Sequence, residues 1–268
     1  MKFLQDITLG QYLPGDSLLH HLDPRTKFIS MFLLMALAFL IQSFRALAVL
    51  WTVFFLALVL SRIPWKYFFR GARPFIWLFL LTGAVHLFFT PGPSLPLFPL
   101  GFVNITWPGV ERGALVSGQL IFVILVSSLM TLTTPPMRLV HGLEKLISPL
   151  KRFHVPVEDF SLMTMLAIRF IPILLAETNR IIKAQSARGV DFESGNLLAR
   201  GKKLIPVLIP LFNGIFKRAD DLATAMLARG YRPGAKRTHL HPLKMGGWDY
   251  ATLTAMGALV LLEIGYRV

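Results

Sequence analysis

The chain has 268 residues, of which 54% are hydrophobic and only 16% are charged, whereas a soluble domain usually carries about a quarter charged. Its apolar residues fall in blocks of membrane-spanning length, roughly 17–25 residues, which excludes a soluble domain and defines a polytopic membrane protein. The formal net charge is +14 and there is no Cys, so disulfides, thiol catalysis and Cys-based metal sites are excluded.

The first 25 residues are mostly polar and lack the apolar core of a cleaved signal peptide. Within them Leu13-Pro14-Gly15-Asp16-Ser17 is turn chemistry. Asp23-Pro24 reads as an N-cap followed by Pro at the first helical position. Spans are predicted at about 28–41 and 46–60, because the combined run is too long for one crossing. A basic loop with Arg62, Lys66, Arg70 and Arg73 precedes a third span at about 75–89. The Pro-rich stretch 90–109 contains no Lys or Arg, a fourth span follows at about 114–132, and Thr134-Pro135-Pro136 stops it. A last apolar block, 250–264, predicts a fifth span.

Residues 135–246 are too long for a simple loop and too apolar for a soluble domain. Three helices are readable there, at about 137–150, 159–187 and 203–229, with bends expected at Pro172, Pro206 and Pro210. The last two carry oily N-terminal halves and polar C-terminal halves, and are placed along the cytoplasmic membrane face; a pair of spanning helices is the alternative. With the N-terminus inside, 25 of the 28 Lys and Arg lie on the cytoplasmic side, all but Arg45, Arg112 and Arg267. That asymmetry sets topology. The basic residues gather between apolar blocks with no aromatic platform or DNA-reading motif, so no nucleic-acid partner is expected. Trp65, Trp107 and Trp248 sit near span ends, as interfacial anchors do.

Two segments repeat the pattern A-x-x-A-R-G, Ala184–Gly189 and Ala225–Gly230, with their arginines roughly 41 residues apart. One copy alone reads as a helix ending, with Arg against the negative end of the dipole and Gly at C′. Two copies, each closing a long helix, invite a functional reading. Ala184 with Ala187, and Ala225 with Ala228, form small-residue faces that permit close helix approach. Arg188 and Arg229 then offer rigid donor forks for carboxylates or carbonyls in a partner's groove.

At these residues the chain resembles the transmembrane T component of energy-coupling factor transporters, the CbiQ-like branch of the ATP-binding-cassette importers for vitamins and transition metals. The block from Pro14 to Lys27 is similar to that family's N-terminal segment, and the resemblance covers essentially the whole chain. It implies an all-α integral membrane protein: about five transmembrane helices plus a cytoplasmic module of two or three long coupling helices. The expected layout is a four-span membrane region (1–134), the coupling module (135–246) and a C-terminal transmembrane helix (247–268). The resemblance implies that Ala184, Ala187, Arg188 and Gly189, with Ala225, Ala228, Arg229 and Gly230, dock two ABC-type ATPase subunits. Motion would pass to a separate small membrane-embedded substrate-binding component. No catalytic residue, cofactor or metal of its own is expected, ATP and Mg being bound by the ATPases. The expected location is the bacterial or archaeal cell membrane, multi-pass, with a cytoplasmic N-terminus. Alternatives are an intramembrane lipid- or isoprenoid-modifying enzyme and a permease that binds substrate itself.

Other signals are weaker. Gly195–Lys203 looks like a P-loop but has one intervening residue too many and Lys203 where Ser or Thr should bind magnesium. Asp220-Asp221 lacks a second acidic cluster. His239-x-His241 reads as solvated surface, and Asn104-Ile105-Thr106 as a sequon without consequence outside a secretory pathway. His86, inside a span, is a functional candidate by position, with a hydrogen-bonded structural role expected. The 14–27 segment is expected to pack as a lid on the first span.

Overall fold

A computed structural model describes residues 12–93, 106–192, 194–232 and 243–265, and among them there is no β-strand. The helices are α1 (Leu18–His21), α2 (Pro24–Leu40), α3 (Phe44–Ser61), α4 (Trp65–Ala72), α5 (Ile76–Phe89), α6 (Trp107–Thr133), α7 (Pro136–Ile147), α8 (Val157–Ala187), α9 (Leu197–Ala228) and α10 (Gly247–Gly265). The described residues form two compact units, one built from 12–143 with 243–265 and the other from 144–232.

Local chemistry sets the helix starts. Asp23 caps α2 by accepting the N–H of Arg25 at 2.9 Å, with Pro24 in the first turn. Thr106 caps α6 by accepting from Gly109 N–H at 3.2 Å, and its hydroxyl also donates to the Thr90 carbonyl at 2.8 Å. This cap starts α6 earlier than the 114 read from hydropathy. The basic stretch 62–73, expected as a loop, holds the two-turn helix α4. Its pattern is too short to stand alone as a sequence signal, but it packs on α6.

The core of the first unit lies between α2, α3, α4 and α6. Leu47, Leu50, Phe54 and Leu58 recur on one face of α3 at helical spacing and are all buried. They meet Leu34, Leu37 and Ala38 of α2, and Phe122, Val126 and Leu129 of α6. Phe54 and Phe122 are fully enclosed, with ring centroids 6.1 Å apart at 68°. Truncating either to Ala would cost about 3–5 kcal/mol. Gln119 of α6 donates to the Ile41 carbonyl at 2.6 Å, satisfying the end of α2.

Among the described residues four helical stretches are long and apolar enough to cross a membrane: Phe44–Ser61, Trp65–Phe89, Trp107–Thr133 and Val157–Ala187. The spans expected at 28–41 and 250–264 are helical but fall outside this group. With 17 residues α2 reaches only about 25 Å at 1.5 Å per residue, and α10 carries Asp249 and Glu263 near its ends. In turn α8, placed along the membrane face by its polar C-terminal half, has the length and apolarity of a span.

Candidate partner-docking site

The second unit is organised by α8 and α9. Arg218 Nη2 donates to Glu177 Oε2 at 3.4 Å, Gln185 Nε2 to the Pro206 carbonyl at 3.4 Å, and Tyr231 Oη to Asp159 Oδ1 at 3.5 Å. Positions fall along α8 as they rise along α9, so the two helices run antiparallel. The Gln185 bond has a specific cause. Pro210 has no N–H for the carbonyl four residues before it, which is that of Pro206, and Gln185 supplies the missing donor.

Both A-x-x-A-R-G segments close their helices in the same way. Gly189 N–H donates to the Ser186 carbonyl at 3.0 Å and Val190 N–H to that of Gln185 at 3.1 Å. In the second copy Gly230 N–H donates to Leu227 at 2.9 Å and Tyr231 N–H to Met226 at 3.0 Å. This is the Schellman pairing, which requires a left-handed residue at C′. Gly189 has φ 88° and Gly230 φ 76°. Arg188 and Arg229 are the C-caps, with φ/ψ of −85°/8° and −88°/10°.

The surfaces match as well. In each copy the second position, Gln185 or Met226, is half-buried and the other five residues are exposed. Ala184, Ala187, Arg188 and Gly189 are thus open to the surface, as are Ala225, Ala228, Arg229 and Gly230. Among the described residues neither guanidinium has a hydrogen bond or an ion pair. Because the helices are antiparallel, the two ends lie at opposite ends of the pair, about 40 Å apart at 1.5 Å per residue.

The remaining sequence signals are placed as follows. Lys203, of the P-loop look-alike, donates to the carbonyls of Asp191 and Ser194 at 2.7 and 3.0 Å and to Ser194 Oγ at 2.8 Å, clamping the α8–α9 connection. Gly195 precedes the cap residue Asn196, which accepts from Ala199 N–H at 3.0 Å and starts α9 six residues before 203. Asp220 and Asp221 are exposed on α9. His239 and His241, with Asn104 and Ile105, lie outside the described residues, and the Thr106 hydroxyl is occupied as the α6 cap. The His86 ring has no hydrogen bond among the described residues, against the expected role. Its backbone instead packs close to α6, where a Cβ on Gly109 would stand 2.8 Å from the His86 carbonyl oxygen.

The 14–27 segment is more than a lid on α2. Leu13 N–H donates to the Leu132 carbonyl at 3.0 Å, and Lys27 Nζ donates to the Thr133 carbonyl and Thr134 Oγ1 at 3.1 and 2.8 Å. Arg25 pairs with Asp23 Oδ2 at 3.0 Å and donates to the Leu243 carbonyl at 3.1 Å. Asp23 N–H reaches Asp249 of α10 at 2.8 Å. The segment is a polar knot joining α2, the end of α6 and the start of α10. Asp249 was missed in the sequence, where one carboxylate before an apolar run carries no partner information.

An all-α chain of this build is an integral membrane protein, and comparison with known proteins narrows the class. The family model for cobalt transport protein matches residues 15–240. The chain is 48% identical to the energy-coupling factor transporter transmembrane protein EcfT of Heliobacterium modesticaldum, covering 97% of both chains. The EcfT of Clostridium kluyveri is 40% identical over 99% of this chain and 98% of its own. That of Bacillus subtilis is 40% identical over 97% of each. The chain belongs to this family of transmembrane components of energy-coupling factor transporters.

Proposed function

We propose that this chain couples ATP hydrolysis in two ABC-type ATPase subunits to substrate movement by a separate small membrane-embedded binding component, in the uptake of vitamins or transition-metal ions. Arg188 and Arg229 each enter a groove on one ATPase subunit, while Ala184 with Ala187, and Ala225 with Ala228, let the helix end approach closely. Closure of the ATPases on ATP displaces the two ends, and α8 and α9 carry that displacement. The chain acts in the cell membrane of a bacterium or archaeon with its N-terminus in the cytoplasm. It contributes no catalytic group and no cofactor, since ATP and Mg are held by the ATPases.

The observation that carries this reading is the equivalence of the two helix ends: same cap geometry, same exposure pattern, and two guanidinium groups without partners among the described residues. Two like plugs suit two like sockets.

The test is co-purification and transport with Arg188→Ala, Arg229→Ala and the double variant. Charge-assisted bonds at a buried interface contribute about 2–5 kcal/mol each when one partner is removed. Each single variant should weaken ATPase retention or uncouple transport, and the double variant should be markedly worse. A double variant that assembles and transports normally would sink the coupling role.

A further inference from the structure

The helix α4 has no part in the proposed coupling site, and its faces are sorted by chemistry. Phe68 is buried at 2% exposure and meets the Phe54 ring edge-on at 6.2 Å. Gly71 lies beside Ser128 of α6, where an added Cβ would stand 3.3 Å from Oγ. Lys66, Arg70 and Arg73 fall at i, i+4 and i+7, hence on one stripe, and at about 100° per residue that stripe is opposite Phe68 and Gly71. Arg62, just ahead, caps α3 in the left-handed conformation at φ 55°, a position where Gly is the easier residue. All four cations are exposed, and among the described residues none has an ion pair or side-chain hydrogen bond. The sequence contains no Asp or Glu between Asp23 and Glu111.

A bare cationic stripe attracts a negative partner, and the surroundings indicate which. Trp65 and Phe69 flank the stripe at 50% and 71% exposure. The chain continues directly into α5, whose exposed residues include Trp77, Leu80 and Leu81. Cations beside exposed aromatic rings and an apolar helix that follows without a break match a headgroup above its acyl chains, since Lys and Arg extend to phosphate while their stems lie on apolar surface. An acidic protein surface would leave that apolar flank uncovered. We propose that α4 and Arg62 form a binding site for acidic phospholipid headgroups.

The experiment uses the purified full chain in zwitterionic detergent, titrated with dioleoylphosphatidylglycerol or dioleoylphosphatidylcholine and read by native mass spectrometry. Because each cation near a membrane surface favours acidic lipid by about fivefold, K66Q/R70Q/R73Q should lower phosphatidylglycerol affinity at least about tenfold, with little change for phosphatidylcholine. The preference should also shrink at about 0.5 M salt. The charge-keeping variant K66R/R70K/R73K should retain it, as should K145Q/R180Q/K217Q, which removes equal charge elsewhere. If the triple Gln variant melts early, the single variants R70Q and R73Q carry the same comparison. Equal affinity for the two lipids, an unaffected triple variant, or an equal loss in the control variant would overturn the proposal. So would a variant that loses a protein partner while keeping the lipid preference.

Discussion

Asp23 and Asp249 stand 226 residues apart in the chain, yet the backbone N–H of Asp23 donates to Asp249 Oδ1 at 2.8 Å. Asp249 Oδ2 accepts from Gly246 N–H, also at 2.8 Å, and the residue is 4% exposed. Asp249→Ala would orphan both donors, and each unsatisfied buried group costs about 1–3 kcal/mol. Thermal melting in detergent should show Asp249→Ala clearly destabilised and Asp249→Asn less so, because the amide oxygen still accepts one bond. An unshifted Asp249→Ala melt would remove the knot from the account of stability.

His20 adds a pH dependence to the same knot. Its Nε2 lies 3.1 Å from the Leu13 carbonyl and must donate there, so Nδ1 accepts from the Ser17 hydroxyl at 2.6 Å. Burial pushes its pKa below the usual value of 6.5, partly offset by the Leu13 bond and reinforced by the charges of Lys27 and His21. A depressed folded value means the neutral form is the one the fold favours. The stability is complete above the unfolded pKa and is lost as pH falls through the folded one. Between about pH 7.5 and about pH 5 the parent chain should lose more melting temperature than His20→Gln, which has no imidazole to protonate. Parallel slopes would contradict this.

Gly189 and Gly230 should behave alike. A Cβ at either position meets nothing within 4 Å, so the penalty of a side chain is backbone strain alone. Ala should cost about 1 kcal/mol or slightly more in the left-handed region, and Asn, which tolerates that region, distinctly less. Denaturant unfolding of the Ala and Asn variants at both sites would show it. Equal costs for Ala and Asn would mean that φ is not the constraint.

Glycine to alanine should change sign between two helix pairs. At Gly109 the new Cβ would stand 2.8 Å from the His86 carbonyl oxygen and 2.8 Å from Thr106 Oγ1. Forcing α5 and α6 apart should cost about 1–3 kcal/mol. At Gly214, inside α9, nothing lies within 4 Å, and Ala should stabilise by up to about 1 kcal/mol through helix propensity. Melting curves of the two variants should shift in opposite directions.

What local sequence determined is where helices start and stop. Asp23-Pro24 and the two A-R-G endings act through bonds to residues two to five positions away, so their chemistry can be read without the fold. Hydropathy alone places two helix starts too late, because Thr106 caps α6 and Asn196 caps α9 well ahead of the main apolar runs. The α4 helix is not legible in the sequence because two turns carry too little periodic signal, and only packing of Phe68 against Phe54 shows which face is bare.

The sequence by itself settled the membrane class, the helix-ending role of both motifs and their family. Tertiary structure alone decided that α8 and α9 run antiparallel, which puts the two arginines at opposite ends of the pair. It also joined Asp23 to Asp249 and Gln185 to the carbonyl freed by Pro210. Those pairings depend on donors and acceptors brought together by chain segments far apart in sequence, and no local propensity encodes such a meeting.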